Sequence, residues 1–180
     1  SDQYCQGTNR TDDAHYVCGD FRLGPTTLPT GLPLGNVVFD YHRFAGLCPG
    51  EFLKAYTNAS TGRYIYPEPD GWQLDVANKT INGTQTLPKH LVVDRFGNEV
   101  GGFFLAPAYT PYIQRALPPQ SLNTPRDDNS FPANYHRYEV ITPFNVSSGP
   151  IAPAFGQPGQ GTQYHTFMDV ATLVNGTFLR

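Results

Sequence analysis

The chain has 180 residues, 39% of them hydrophobic but only 15% charged, with a formal net charge of −3. That length fits one domain with a sizeable core. The weak acidic balance excludes the basic face that nucleic acids or anionic membranes need, and no apolar run approaches the length of a membrane span.

In chain order, the opening "SDQYCQG" lacks an initiator Met, as expected of a mature terminus after removal of a signal peptide, or of a trimmed chain. Residues 1–35 are turn-rich. "LGPTTLPTGLPLG" cannot form a regular helix, so an N-terminal arm is expected. Cys5, Cys18 and Cys48 all fall in the first 48 residues without zinc-site spacing, which predicts one disulfide and one leftover thiol, with the pairing open. "NVVFDYHRF" (36–44) reads as a strand and "GEFLKAYT" (50–57) as a short helix. "RYIYPEPDGWQL" (63–74) has strand character broken by prolines and an Asp-Gly turn.

Further on, "HLVVDRF" (90–96) and "GGFFLAP" (101–107) read as strands, and "TPYIQRAL" (110–117) as one or two helical turns before a double proline. "HRYEVITPF" (136–144) alternates with Tyr138, Val140 and Thr142 on one face, and "FMDVATLV" (167–174) is a last strand or a short helix. "FGQPGQGTQYH" (155–165), with three glutamines among glycines, reads as a surface loop or one that approaches a ligand closely. No strand–helix–strand unit appears. The expected class is therefore α+β, β-rich and built on an antiparallel sheet.

Solubility needs a source other than charge. Six N-x-S/T sequons, at Asn9, Asn58, Asn78, Asn82, Asn145 and Asn175, exceed the one or two expected by chance and point to a secreted glycoprotein. Common catalytic signatures are absent. The five histidines are scattered. Asp70, Asp94 and Glu139 could serve as glycosidase carboxylates, but nothing marks them as a pair. Two arginines stand out. Arg95 and Arg115 lie in a segment whose only acids are Asp94 and Glu99, and a guanidinium can grip a phosphate bidentately. Phe96 beside Arg95 offers a ring for a heteroaromatic group, and the Gln163 amide can reach a ribose hydroxyl.

These motifs resemble a known family. "DRFG", "GGFFLAP", "QRALPP", "YEV" and "GPIAPAFGQPGQGTQY", in this order, with "YPEPDGW" and "GLCPGEFL" ahead of them, are similar to the domain of tuberculosis necrotizing toxin and especially to its secreted fungal relatives, the NAD glycohydrolases of the spore surface. The resemblance covers roughly residues 60–167. It implies hydrolysis of NAD, and of NADP, to nicotinamide and ADP-ribose, with no bound cofactor. It implies a small core distantly like ADP-ribosyltransferases, an N-terminal arm and thumb-like extension over 1–59, and the catalytic core over 60–180.

By resemblance, Arg95 and Arg115 grip the dinucleotide and Gln163 is the required glutamine, with Gln157 as its rival. Phe96 lies beside the nicotinamide end, and His136 falls near the family's histidine. Phe104 replaces a tyrosine of bacterial members. The C-terminal "LVNGTFLR" lacks the acids that bind calcium in some fungal members, so no structural metal is expected. A homodimer, and an extracellular or cell- or spore-surface location, also follow by resemblance. Two rival readings rest on residues alone: a glycan-binding module using exposed tyrosines and Trp72, and a secreted ribonuclease using His136, Glu139 and an arginine.

Overall fold

In the computed structural model, which describes residues 3–180, six strands form one antiparallel sheet. They are β1 (Gly83–Leu87), β2 (Val92–Phe96), β3 (Phe104–Pro107), β4 (Tyr135–Glu139), β5 (Phe144–Pro150) and β6 (Thr162–Thr166). Their order is β1-β5-β6-β3-β2-β4. The helices are short: α1 (Leu34–Val37), α2 (Pro49–Tyr56), α3 (Tyr112–Arg115) and α4 (Val170–Asn175). Among the described residues, no helix is long and apolar enough to cross a membrane.

The sheet parts in its middle, and this positions the site. β3 is shared: Phe104 and Leu105 pair with His165 and Tyr164 of β6, whereas Ala106 and Pro107 pair with Asp94 and Val93 of β2. Past Asp94, β2 pairs only with β4, through Arg95 opposite His136 and Phe96 opposite Tyr135. Residues 95–96 and 104–105 therefore border a gap between neighbouring strands.

Period-2 alternation sorts the side chains to two faces. Val93, Leu105 and Tyr164 bury against Val170 and Leu173 of α4. On the opposite face Phe96 joins a second cluster with Tyr112, Tyr41 and Val37. A third joins Leu23, Phe52 and Leu53 of the first 59 residues to Tyr64 and Phe155. α2 starts at Pro49, with the Glu51 carboxylate accepting from the Cys48 amide at 3.2 Å. α3 stops where Ala116 turns left-handed (φ 47°), before the double proline is reached. At α4, Asp169 accepts from Thr172 N and from Gly101 N, tying the helix start to the 97–103 loop.

Cys5 and Cys18 form the disulfide, and Cys48 is free and exposed. Four local readings change. Residues 36–44 are not a strand: Val37, Val38 and Tyr41 are buried together at near-helical spacing through the end of α1 and the turn after it. Residues 63–74 make only isolated bridges, at Tyr64, Trp72 and Leu74. The 136–144 run breaks at Glu139, because the C-terminus takes over pairing through Leu179 and Arg180. Tyr138 and Val140 are buried as expected, but Thr142 is exposed. Residues 162–165, expected in the 155–165 loop, belong to β6, a strand flanked on both sides.

Leu173 is 1% exposed at the centre of the α4 contact. Leu173→Ala should cost about 2–5 kcal/mol in urea unfolding, the usual range for a buried leucine. A loss within error of zero would mean that α4 does not carry this core.

Candidate active site

A cleft of about 460 Å³ opens on the sheet face away from α4, at the parted strands. Asp94, Phe96, Phe104 and Gln163 reach it by strand alternation. Arg95 alternates with Asp94 and Phe96 and enters at the gap between β2 and β3. Its Nη1 donates to the Phe104 carbonyl at 2.7 Å and its Nε to the Gly97 carbonyl at 3.2 Å. Gly102 lies flat against it, and a Cβ there would come within 2.5 Å of Arg95 Cζ.

The two arginines differ in their charge partners. Arg115 is 5% exposed and donates through Nη1 and Nη2 to the two oxygens of Asp94, at 2.7 and 2.9 Å. Its Nε donates to the Thr110 carbonyl, and its guanidinium stands 5.1 Å from the Phe96 ring centre. Asp94, fully buried, also accepts from the Tyr135 hydroxyl and the Tyr109 amide. One of the two acids in the segment thus takes up Arg115, which is joined to Asp94 by a bidentate ion pair rather than left open on all sides for a phosphate.

Arg95 has no carboxylate within ion-pair distance among the described residues. Burial lowers its pKa from the ordinary arginine value, opposed in part by the nearby Tyr138 and Glu99.

Gln163 is 9% exposed, and its Nε2 donates to the Asp70 carbonyl at 2.8 Å. Only the amide nitrogen can donate there, which fixes the flip and leaves Oε1 without a hydrogen-bond partner among the described residues. Asp70 and Gly71 both have positive φ in the turn of "YPEPDGW", whose Tyr66, Glu68 and Asp70 wall the cleft. Tyr66, Glu68 and the pairing of Asp94 with Arg115 are the parts that the sequence reading missed; Asp70 and Asp94 were named there only as unpaired carboxylates. The turn chemistry of Pro-Asp-Gly was the available signal. Phe104 is 37% exposed beside His165, with ring centres 4.8 Å apart. Phe96 is more enclosed, packed edge-on to Tyr112 and covered by Arg115.

Arg95, Phe96, Phe104, Arg115 and Gln163 thus share one cleft, which His136 and Gln157 do not line. His136 stands on the other face, stacked on Phe131 at 4.2 Å and hydrogen-bonded to Asn134. Gln157 is buried in a turn, donating to the His42 carbonyl. Trp72 is 4% exposed and offers no glycan platform. His136 and Glu139 are three apart on β4 and so face opposite sides, which removes the ribonuclease pair. Among the described residues, no three His, Cys, Asp or Glu side chains cluster so as to hold a metal ion.

Comparison with known proteins follows the same segments. Residues 86–180 match the family model described as tuberculosis necrotizing toxin. Over 178 residues the chain is 48% identical to the conidial surface nicotinamide adenine dinucleotide glycohydrolase nadA of Aspergillus fumigatus, spanning 98% of this chain and 74% of that one. The structure of tuberculosis necrotizing toxin, solved in complex with its immunity factor IFT, superposes with a TM-score of 0.59. That match has 17% identity and covers 96% of this chain and 98% of the toxin chain. It establishes a common fold.

His136 supplies a pH test of the scaffold behind the cleft. Burial lowers its pKa, opposed by the Glu99 carboxylate. An unfolded histidine takes up a proton near pH 6.5, whereas the folded one resists it. Its contribution is therefore complete above about pH 6.5 and declines as pH falls toward the folded value. His136→Phe, which keeps a stacked ring, should flatten the dependence of unfolding free energy on pH between about 7 and 5. An unchanged slope would contradict this.

Proposed function

The chain belongs to the tuberculosis necrotizing toxin family, and from that premise we propose that it is a secreted NAD glycohydrolase, cleaving the bond between nicotinamide and ribose. The observation that carries the reading is the convergence of an unpaired Arg95, an exposed Phe104 face and a half-satisfied Gln163 amide in one cleft.

The chemistry asks little of acids and bases. Nicotinamide departs as a neutral molecule, the electron pair of the C–N bond leaves with it, and an oxocarbenium ion develops on the ribose. Water adds to that carbon and loses a proton, giving ADP-ribose. Arg95 is the principal phosphate ligand in this proposal, since an anion would offset the cost of its burial. Arg115, committed to Asp94, acts mainly by holding Phe96 and the cleft floor, with its two remaining N–H bonds open to a phosphate oxygen. Phe104 offers a flat apolar face to nicotinamide. Gln163 Oε1 accepts from a ribose hydroxyl or from the incoming water. Binding energy from the phosphates then fixes the reacting carbon against these groups.

NADP as a second substrate and action outside the cell or at its surface complete the reading. The relative's conidial surface location and six exposed sequon asparagines support the second of these. A homodimer is also proposed, and Phe39 and Leu32, 86% and 79% exposed, are apolar surface that a second copy would cover.

Incubation of the purified protein with NAD should release nicotinamide and ADP-ribose, with or without chelator; absence of nicotinamide would reject the reading. Arg95→Ala should lower kcat/KM by roughly ten- to hundredfold, the loss of one charge-assisted bond. Gly102→Ala should also lower kcat/KM, because its Cβ would meet both the Arg95 guanidinium and the Asn98 carbonyl at 2.5 Å and displace the loop that seats Arg95. Gln163→Ala should act on kcat more than on KM, as expected of a transition-state contact. Normal kinetics in all three would refute these roles.

A further inference from the structure

A second cavity, about 480 Å³, adjoins the cleft through the shared Tyr66. Its wall carries Asn9, the asparagine of the first sequon, and none of the other five sequon asparagines lines either cavity. Asn9 is firmly placed. Its loop is closed by the Cys5–Cys18 disulfide, and its backbone amide donates to Asp20 at 2.8 Å. Asp20 is buried and paired with Arg22 through bonds of 2.9 and 2.6 Å. The residue between them, Phe21, is 57% exposed and, among the described residues, makes no ring contact with another aromatic side chain. Arg63 and Gln120 also face the cavity, and Arg63 has no carboxylate partner among the described residues.

An exposed aromatic face beside polar donors and acceptors suits one ligand chemistry in particular. A pyranose lays its C–H face on a ring and offers hydroxyls to the side chains around it. We propose that this cavity is the seat of the N-linked glycan carried by Asn9, its first sugars packed on Phe21 and hydrogen-bonded to Arg63 and Gln120. The proposal rests on the reading of the chain as a secreted glycoprotein. In the attachment, the bond from the first N-acetylglucosamine to a lipid-linked pyrophosphate donor breaks. A bond from its anomeric carbon to Asn9 Nδ2 forms, the lipid pyrophosphate leaves, and one amide proton is lost to base. Of the six sequons, this geometry singles out Asn9 as the one whose sugar is held rather than free in solvent.

The test uses protein secreted by a eukaryotic host and digested in its folded state with an endoglycosidase, followed by site-resolved mass spectrometry. The Asn9 glycan should be present and should be released severalfold more slowly than those at Asn58, Asn78, Asn82, Asn145 and Asn175. Phe21→Ala, at an exposed position, should bring Asn9 to the common rate without lowering occupancy. Release of Asn9 at the common rate in the parent protein, an empty Asn9 beside occupied sequons, or protection that persists in Phe21→Ala would each overturn the seat. No glycan at any sequon would instead overturn the glycoprotein reading, and the seat with it. Binding of adenosine monophosphate that is lost in Arg63→Ala would identify the cavity as a nucleotide subsite, and would also overturn the proposal.

Discussion

The buried pair of Asp94 and Arg115 holds the cleft together. One carboxylate with no exposed surface accepts from Arg115 twice, from Tyr135 and from the Tyr109 amide. Those four bonds join β2 to β4, to α3 and to the loop after β3. A charge removed from water is tolerated only when its partners are complete, and here both oxygens are satisfied. The guanidinium then lies over Phe96, whose ring joins the cluster around Tyr112. Losing either ion would leave the other stranded in the floor of the site.

The second constraint is the gap in the sheet. β3 serves two neighbours in turn, so β2 and β3 separate just where Arg95 emerges. A side chain fills the opening: Arg95 bonds the Phe104 carbonyl, and Gly102 allows it to lie flat. Two arginines that look alike in sequence thus divide their work. Arg115 is neutralised by its own acid and stiffens the floor, whereas Arg95 has no ion-pair partner among the described residues and in the proposed reading takes an anion from outside. Gln163 is divided in the same way, with its amide nitrogen satisfied by the Asp70 carbonyl and its oxygen, in the proposed reading, accepting from the ligand.

This contrast also explains what the sequence could and could not tell. β2 and β3 were legible because two short valine- and phenylalanine-rich runs flank a glycine-containing turn, and α2 because its cap is local. The family motifs named five side chains that meet in one cleft. β6 was hidden because a strand lining a cleft carries Gln163 where a core strand would carry an aliphatic residue. β1, Gly83–Leu87, buries only Leu87 and so shows no apolar alternation. Residues 36–44 misled because their valines favour strand, and packing on Tyr112 overrode that preference. The Asp94–Arg115 bond spans 21 positions and needs the fold to bring its ends together. His136 is directly opposite Arg95 in register and shares its face of the sheet, but its ring turns to Phe131 and Asn134.

The most direct test of this account is a double-mutant cycle on Asp94→Ala and Arg115→Ala, read by urea unfolding together with NAD affinity. A buried ion stripped of its partner typically costs about 3–5 kcal/mol, so each single change should destabilise by that order. The double variant should lose little more than either alone, because both changes break the same pair. Small, additive stability losses, with the damage confined to the affinity of Arg115→Ala for NAD, would contradict the account. Arg115 would then be a phosphate ligand first, and Asp94 a bystander.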